Sequence, residues 1–232
     1  MHTDRIFLTA EWRHLAMLNY VVDDQLLQPL VPTGTELDFF DGRAYVSLVG
    51  FRFLNTKVLG LSIPFHRDFD EVNLRFYVRR ITGGEIRRGV VFIREVVPRR
   101  AIAALARGLY NEKYVALPMR HHIAPDRVSY GWGDSNKLEL APIGDPSLAT
   151  DRSEEQFITE HYWGYTTQRD GGSIEYKVTH VPWRLWHAQS ARFEGDAVAL
   201  YGNDFAPVLT RTPDSAFLAE GSAVQVMRGV RI

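Results

Sequence analysis

The amino-acid sequence predicts a β-rich α+β protein with antiparallel strands and few helices. Several segments alternate apolar and polar residues, which is the periodicity of a strand that buries one face. Turn signals at Asp41-Gly42, at Gly83-Gly84 and at 169–172 separate these segments. Only short stretches place apolar residues at helical spacing. Many strands with few helices are typical of an antiparallel, barrel-like architecture.

Strands are predicted over most of the chain. Their ranges are 43–53, 71–79, 89–97, 162–168, 173–180 and 223–230. Residues 118–153 are rich in Gly, Pro, Asp and Ser, so they predict either a long connection or the seam between two halves of one sheet system. We expect one domain over residues 1–232, because a chain of this length fits one large domain.

Three helical segments interrupt the predicted strands. A short helix begins at Asp23 or Asp24, either of which can cap it, and continues through Leu30. A longer helix covers 99–110, where apolar residues recur among alanines at helical spacing. A third begins at Ser153, because the run Ser-Glu-Glu-Gln that starts there matches a capping box.

Composition excludes several classes of function. The chain has no cysteine, which rules out a disulfide framework and thiolate chemistry. Its 27 basic and 28 acidic residues give a net charge of −1, so neither nucleic acid nor an anionic membrane is an expected partner. No signal-peptide pattern and no bilayer-length apolar run is present, so we expect a cytoplasmic protein. The oligomeric state stays open.

Histidines are the residues that most suggest a metal site. They are His66, His121, His122, His180 and His187. None has a recognised ligand spacing, and adjacent histidines on a strand point to opposite faces. No Gly-rich phosphate loop or nucleophile elbow is present either. We therefore expect no metal and no cofactor.

The predicted strand 71–79 carries the most informative side chains. Alternation places Glu71, Asn73, Arg75 and Tyr77 on one face and only apolar residues on the other. One interpretation is a strand whose polar face meets water. The other places the polar face inside a barrel, where an acid, an amide and a guanidinium surround a polar ligand.

Lys113 is the second candidate for chemistry. It follows the predicted helix 99–110 and lies among Tyr and Val residues, where desolvation lowers a lysine pKa and permits Schiff-base catalysis. The alternative is a lysine paired with Glu112 or extended to water.

These segments, in this order, resemble a family. The matching runs are 12–15, 19–23, 32–38, 41–47, 71–79, 107–114 and 180–183. They resemble the YqjF-like bacterial proteins, a family of unknown function that is similar in turn to acetoacetate decarboxylase. The resemblance implies an acetoacetate-decarboxylase-like, partly closed antiparallel barrel with a few helices around a central cavity, and it places Glu71 where the decarboxylase has a cavity glutamate.

The resemblance does not extend to the decarboxylase lysines. When the chains are aligned without gaps on Arg107, the Schiff-base lysine falls on Tyr114, and the decarboxylase's lysine pair is missing here. A shift of one residue restores Lys113 as nucleophile, but without the adjacent cation that lowers its pKa.

Three hypotheses of function follow. The first is a protein that binds a small organic acid or carbonyl compound in a central cavity, with ligand contacts from Arg75, Asn73, Tyr77, Tyr114, Arg107 and His180. The second is a Schiff-base enzyme of decarboxylase or aldolase type, with Lys113 as nucleophile and Glu71 as acid/base. The third is a structural or interaction protein whose barrel is filled by its own side chains.

Overall fold

The computed structural model describes residues 5–63, 67–98 and 113–232, and strands dominate this part of the chain. The strands join into one 14-stranded sheet. The predicted helix 99–110, Arg107 and His66 lie outside the described residues. No helix in the described ranges is both long and apolar enough to cross a membrane.

The strands follow one another along most of the chain. They are β1 (Ile6–Val22), β2 (Glu36–Leu37), β3 (Ala44–Val58), β4 (Phe69–Thr82), β5 (Glu85–Val97), β6 (Tyr114–Ala116), β7 (Met119–Ala124), β8 (Arg127–Trp132), β9 (Asn136–Leu148), β10 (Trp163–Thr167), β11 (Ser173–Thr179), β12 (Arg184–Glu194), β13 (Ser215–Met227) and β14 (Val230–Arg231).

Two α-helices are described, α1 (Glu154–Thr159) and α2 (Ala197–Leu209), and α2 is kinked at Gly202. Ser153 caps α1 as predicted, since its hydroxyl oxygen accepts a hydrogen bond from the Gln156 amide at 3.2 Å. The predicted helix ending at Leu30 is instead two short 3₁₀ turns. Pro29 lies in the second turn and has no N–H, so the hydrogen bonds of one continuous helix cannot form there.

β1 and α2 were not predicted from the sequence. For β1, the structure shows the reason. Its second half is buried on both faces, so apolar residues do not alternate with polar ones. The pairing with β3 also shifts register between Arg13 and Ala16, where His14 adopts a positive φ of 55°. A bulge of this kind reverses the side-chain pattern along a strand.

Residues 118–153 are not a long connection, because they contain β7, β8 and β9. Two of the four prolines in this range, Pro142 and Pro146, lie in the second half of β9. In the described structure, β9 pairs with β8 only as far as Leu140 and then pairs with β12 alone. A strand with one open edge tolerates proline, since an unpaired N–H is not needed there.

Part of the sheet curves into a ring. The neighbours in order are β11, β10, β5, β4, β3, β1 and β13, and β13 pairs again with β11 through Val178–Val226 and Thr179–Gln225. β10 and β5 are joined by two parallel residue pairs, so the ring is closed weakly at these two seams. This partly closed, mostly antiparallel architecture confirms the predicted fold class. From β13, the sheet continues outside the ring through β12, β9, β8 and β7.

β4 separates the apolar core from the interior of the ring. Val72, Leu74, Phe76 and Val78 pack into the main core. The opposite face of β4 points into the ring, because side chains alternate along a strand. Both faces of β4 are therefore buried, and the polar face meets an enclosed space instead of bulk water.

Candidate functional site

The ring encloses a cavity of about 230 Å³. Side chains from β1, β3, β4, β5, β6, β10, β11 and β13 line it, together with the end of α1 and residues that follow α1 and β11. The third hypothesis, a barrel filled by its own side chains, does not agree with this cavity.

One end of the cavity is apolar and largely aromatic. Six of its residues are Phe7, Trp12, Phe53, Val58, Phe69 and Trp183. Phe53 stacks on Phe69 with ring centroids 4.6 Å apart, and Trp12 meets Phe53 edge-on at 5.7 Å. Such a wall accommodates an apolar or aromatic group of a ligand.

The other end of the cavity is polar, and β4 supplies three of its side chains. Glu71, Asn73 and Arg75 line the cavity and are 3%, 2% and 9% exposed. Of the two interpretations of this strand, the structure agrees with the one that places the polar face inside the barrel, although Arg75 is hydrogen-bonded to a backbone carbonyl oxygen and not to a polar side chain. Along β4, the wall of the cavity is apolar at Phe69, which pairs with Phe53 of β3. It is polar at Arg75, which pairs with Ser47 of β3.

Glu71 is hydrogen-bonded on both carboxyl oxygens. The Asn73 amide nitrogen donates to Oε1 at 3.0 Å, and the Tyr114 hydroxyl donates to Oε2 at 3.2 Å. Burial raises the pKa of Glu71 to about 7, although Asn73, Tyr114 and the charge of Arg75 act in the opposite direction. Glu71 can therefore exchange a proton near neutral pH.

Arg75 carries a buried positive charge with little compensation from the protein. Its Nη2 donates to the Ile158 carbonyl oxygen at 3.2 Å, and its guanidinium carbon lies 5.7 Å from the centre of the Tyr77 ring. Among the described residues, no carboxylate lies within 4.0 Å of the guanidinium, and the buried Nε has no hydrogen-bond partner. Arg75 is thus a cavity-lining cation without a directly paired carboxylate among the described residues, although its charge acts on the carboxyl group of Glu71.

Tyr77 belongs to the same polar face of β4, but it does not line the cavity itself and lies beneath the guanidinium of Arg75. Its hydroxyl lies 2.6 Å from the Ser47 hydroxyl, which donates to Asn19 Oδ1 at 2.7 Å. Asn19 in turn donates to the Ser215 hydroxyl at 3.0 Å, and Ser215 is bonded to Glu154 at the start of α1. These buried hydrogen bonds hold the Tyr77 ring in place beneath Arg75.

His161 is the main site residue that the sequence analysis did not identify. It lines the cavity with its side chain 1% exposed, and its Nε2 lies 3.1 Å from Asp38 Oδ2. Arg88 donates to both Asp38 oxygens, from Nε at 2.7 Å and from Nη2 at 3.3 Å. Asp38 and His161 are 123 positions apart in sequence, so no local spacing signals the pair.

His180 also lines the cavity, at its aromatic side. Its ring stacks on Trp183 with centroids 4.1 Å apart. Nδ1 lies 2.9 Å from the Val181 carbonyl oxygen, which can only accept, so Nδ1 carries the proton. Burial lowers the pKa of His180, which is consistent with a neutral ring at neutral pH.

Tyr114 and Lys113 have different places in the structure. Tyr114 pairs with Glu95 of β5 and lines the cavity. Lys113 is exposed and is not among the described residues that form the cavity wall. The site that the structure brings together from the predicted residues therefore includes Glu71, Asn73 and Arg75 with Tyr114 and His180, with Tyr77 beneath it.

A metal site in the described part of the chain requires several ligand side chains close together. No group of three or more His, Cys, Asp or Glu side chains is arranged there to hold an ion. His121 of β7 is held instead by Asp70, with Nδ1 and Oδ2 2.8 Å apart.

Solved structures with the same architecture include two groups of enzymes. Acetoacetate decarboxylase from Legionella pneumophila superposes with a TM-score of 0.69 and 14% identity, covering 98% of this chain and 88% of that one. The enduracididine biosynthesis enzyme MppR, complexed with pyruvate, superposes with a TM-score of 0.68 and 13% identity, covering 100% of this chain and 91% of that one. At these identities the likeness establishes the fold.

Sequence comparisons establish the family. Uncharacterized protein YqjF of Bacillus subtilis (strain 168) is 30% identical over 186 residues, which cover 77% of this chain and 75% of YqjF. The family model DUF2071, described as an uncharacterized conserved protein, matches residues 9–223. The chain, with its partly closed ring of strands and polar-ended cavity, therefore belongs to the DUF2071 family.

Proposed function

We propose that this protein binds a small organic acid or carbonyl compound in the cavity of the ring, with the carboxylate of an acid held by Arg75. The observation that carries the proposal is the buried guanidinium of Arg75, which has no carboxylate within 4.0 Å among the described residues. A buried charge without a direct ion pair is costly, and a ligand carboxylate reduces this cost by supplying a directly bonded anion. Guanidinium also holds a carboxylate through two parallel hydrogen bonds.

The shape and polarity of the cavity narrow the class of ligand. A carboxylate at Arg75 leaves the remainder of the ligand against the aromatic wall that includes Trp12, Phe53 and Phe69. Burial of an apolar group there removes apolar surface from water, at roughly 25 cal/mol per Å². We therefore expect acids with an aromatic or aliphatic body to bind more tightly than acids of two or three carbons.

Two groups of structural neighbours support small-molecule binding in this fold. MppR has been solved with pyruvate and with the condensation product of pyruvate and imidazole 4-carboxaldehyde. Acetoacetate decarboxylase is named for an acid that carries a carbonyl group. Both are ligands of the class proposed here.

A matched pair of probes tests the proposal. 3-Phenylpropanoate and 3-phenylpropanamide have the same aromatic body and differ in the charge of the head group. Isothermal titration calorimetry is expected to show binding of the acid and binding of the amide that is about 100-fold weaker or undetectable, because the amide cannot neutralise Arg75. Equal affinity for the two compounds contradicts the proposed carboxylate contact.

The Schiff-base alternative leads to a negative prediction. Lys113 is exposed and is not among the described residues that line the cavity, so it lacks the enclosed, desolvated setting that activates a Schiff-base lysine. After incubation with acetoacetate and borohydride, mass spectrometry is expected to find Lys113 unmodified. Lys177, which is also exposed on β11, is the matched control for nonspecific reaction. A specific adduct on Lys113 instead supports the decarboxylase or aldolase hypothesis, with Glu71 as acid/base.

A further inference from the structure

We infer that His161 is a hydrogen-bond acceptor inside the cavity, and that it selects acids that carry a hydroxyl or amino donor close to the carboxylate. This inference rests on the proposed function, since it assumes that the carboxylate lies at Arg75. It adds a second recognition point to the site and narrows the ligand class from organic acids to hydroxy or amino acids with an apolar body.

The contacts of Asp38 determine the tautomer of His161. Arg88 donates to both carboxyl oxygens of Asp38, and the Asp38 amide donates to the Tyr77 carbonyl oxygen at 3.0 Å, which holds the residue in place. Burial raises the pKa of Asp38, but the hydrogen bonds from His161 and Arg88 outweigh it and keep the pKa below its ordinary value. An ionised carboxylate can only accept, so His161 Nε2 must carry the proton.

The other ring nitrogen is then an acceptor. Burial lowers the pKa of His161 more than Asp38 raises it, so the ring carries one proton, on Nε2, at neutral pH. Nδ1 is buried and has no hydrogen-bond partner among the described residues. A buried acceptor without a donor is unfavourable, and His161 lines the cavity. A ligand in the cavity can supply the missing donor.

Arg75 and His161 are close enough to bind one small molecule. The His161 ring lies against Tyr77 at 4.8 Å between centroids, and the Arg75 guanidinium lies against the same ring at 5.7 Å. Arg75 also donates to the carbonyl oxygen of Ile158, three positions before His161. The guanidinium of Arg75 and the ring of His161 therefore lie beside one aromatic ring, and the charge of Arg75 acts on His161, so one ligand can reach both.

This arrangement distinguishes between closely related acids. A hydroxyl or amino group beside the carboxylate can donate a hydrogen bond to His161 Nδ1. A keto oxygen can only accept, as Nδ1 does, so the two atoms cannot form a hydrogen bond. An acid with no polar substituent leaves Nδ1 without a partner. Sites built to hydrogen-bond a substrate hydroxyl discriminate against analogues that lack it for the same reason.

The tautomer is measured directly on the wild-type protein. Long-range ¹H–¹⁵N correlation spectra of protein labelled with ¹⁵N-histidine distinguish protonated from bare ring nitrogens, and the spectrum of His161→Phe identifies the signals of His161. We expect a bare Nδ1 and a protonated Nε2. His180 is an internal control with the opposite tautomer, because its Nδ1 donates to Val181. A proton on His161 Nδ1 overturns the inference.

Ligand selection is measured with L- and D-3-phenyllactate against 3-phenylpropanoate, which lacks only the hydroxyl. One phenyllactate enantiomer is expected to bind wild-type protein about tenfold more tightly than 3-phenylpropanoate, and this preference is expected to disappear in His161→Phe. His187→Phe is the matched control and is expected to retain the preference, because His187 has an exposed side chain on β12 and does not line the cavity.

The outcomes separate this inference from the proposed function. Binding of 3-phenylpropanoate with no preference for either phenyllactate leaves the carboxylate site in place and overturns the role of His161. If His161→Phe retains the preference for a phenyllactate enantiomer, the role of His161 is likewise overturned. Absence of binding by all three acids overturns the proposed function and, with it, the ligand class inferred here.

Discussion

Replacing Arg75 with methionine is expected to abolish the binding of 3-phenylpropanoate while thermal stability stays unchanged or rises. Methionine retains much of the length of the arginine side chain but removes the charge. Loss of two charge-assisted hydrogen bonds corresponds to at least about a 100-fold loss of affinity. Stability is maintained because the removed charge is buried without a carboxylate within 4.0 Å among the described residues, so no direct ion pair is broken.

Arg79→Met is the matched control for this experiment. Arg79 belongs to the same strand and to the same alternating set of positions as Arg75, but it pairs with Glu36 near the protein surface, at 2.7 Å. The control is expected to leave binding unchanged, because Arg79 does not line the cavity. Calorimetry measures affinity and differential scanning fluorimetry measures the unfolding temperature of both variants.

The competing role of Arg75 is to neutralise Glu71. If that role dominates, Arg75→Met lowers the unfolding temperature markedly, and the double variant with Glu71→Gln recovers most of the loss. A loss of stability with binding of 3-phenylpropanoate intact eliminates the ligand role of Arg75.

The second large effect is expected from Glu71→Gln, and it depends on pH. Burial raises the pKa of Glu71 from 4.5 to about 7. The folded protein therefore binds more protons than the unfolded protein between these two values, and the free energy of unfolding falls as pH rises through that window. Once Glu71 is ionised, the cost to wild-type stability is on the order of 3 kcal/mol.

Glutamine imitates the protonated form of Glu71. Its carbonyl oxygen can accept from Asn73, and its amide can donate to the Tyr114 hydroxyl, so the two hydrogen bonds are kept. Glu71→Gln is thus expected to match wild-type stability at about pH 4 and to exceed it by on the order of 3 kcal/mol at about pH 8. Urea unfolding of both proteins at the two pH values measures the difference.

Titrating groups that do not interact with Glu71 cancel in this comparison, because both proteins contain them. Glu220→Gln, on an exposed position of β13, controls for the substitution itself. A stability difference between Glu71→Gln and wild type that does not change with pH shows that Glu71 does not titrate in the expected window.

The alternation of side chains along β4 shows what can and what cannot be predicted from the sequence. A period of two residues separates Glu71, Asn73 and Arg75 from the apolar residues between them, so their shared face follows from the sequence. Whether that face meets water or an interior does not follow, because both arrangements have the same pattern. Ring closure by the pairs between β11 and β13 decides it, since closure encloses the polar face.

The positions of Tyr114 and Lys113 show a second limit of prediction from sequence, which concerns strand register. Adjacent residues on a strand point to opposite faces, so a shift of one residue exchanges which of the two approaches the cavity. The sequence alone leaves both registers open, and the parallel pairing of Tyr114 with Glu95 selects one of them.

The sequence by itself determined the family, the β-rich class, the capped helix at Ser153 and the polar face of β4, because each depends on local periodicity or on a motif of neighbouring residues. Only the tertiary structure decided the cavity, the separation of its polar and apolar ends, and the pairing of Asp38 with His161. Those features join residues from distant strands, such as the 123 positions between Asp38 and His161. They exist because hydrogen-bond register brings the strands together, and register is a property of the whole sheet.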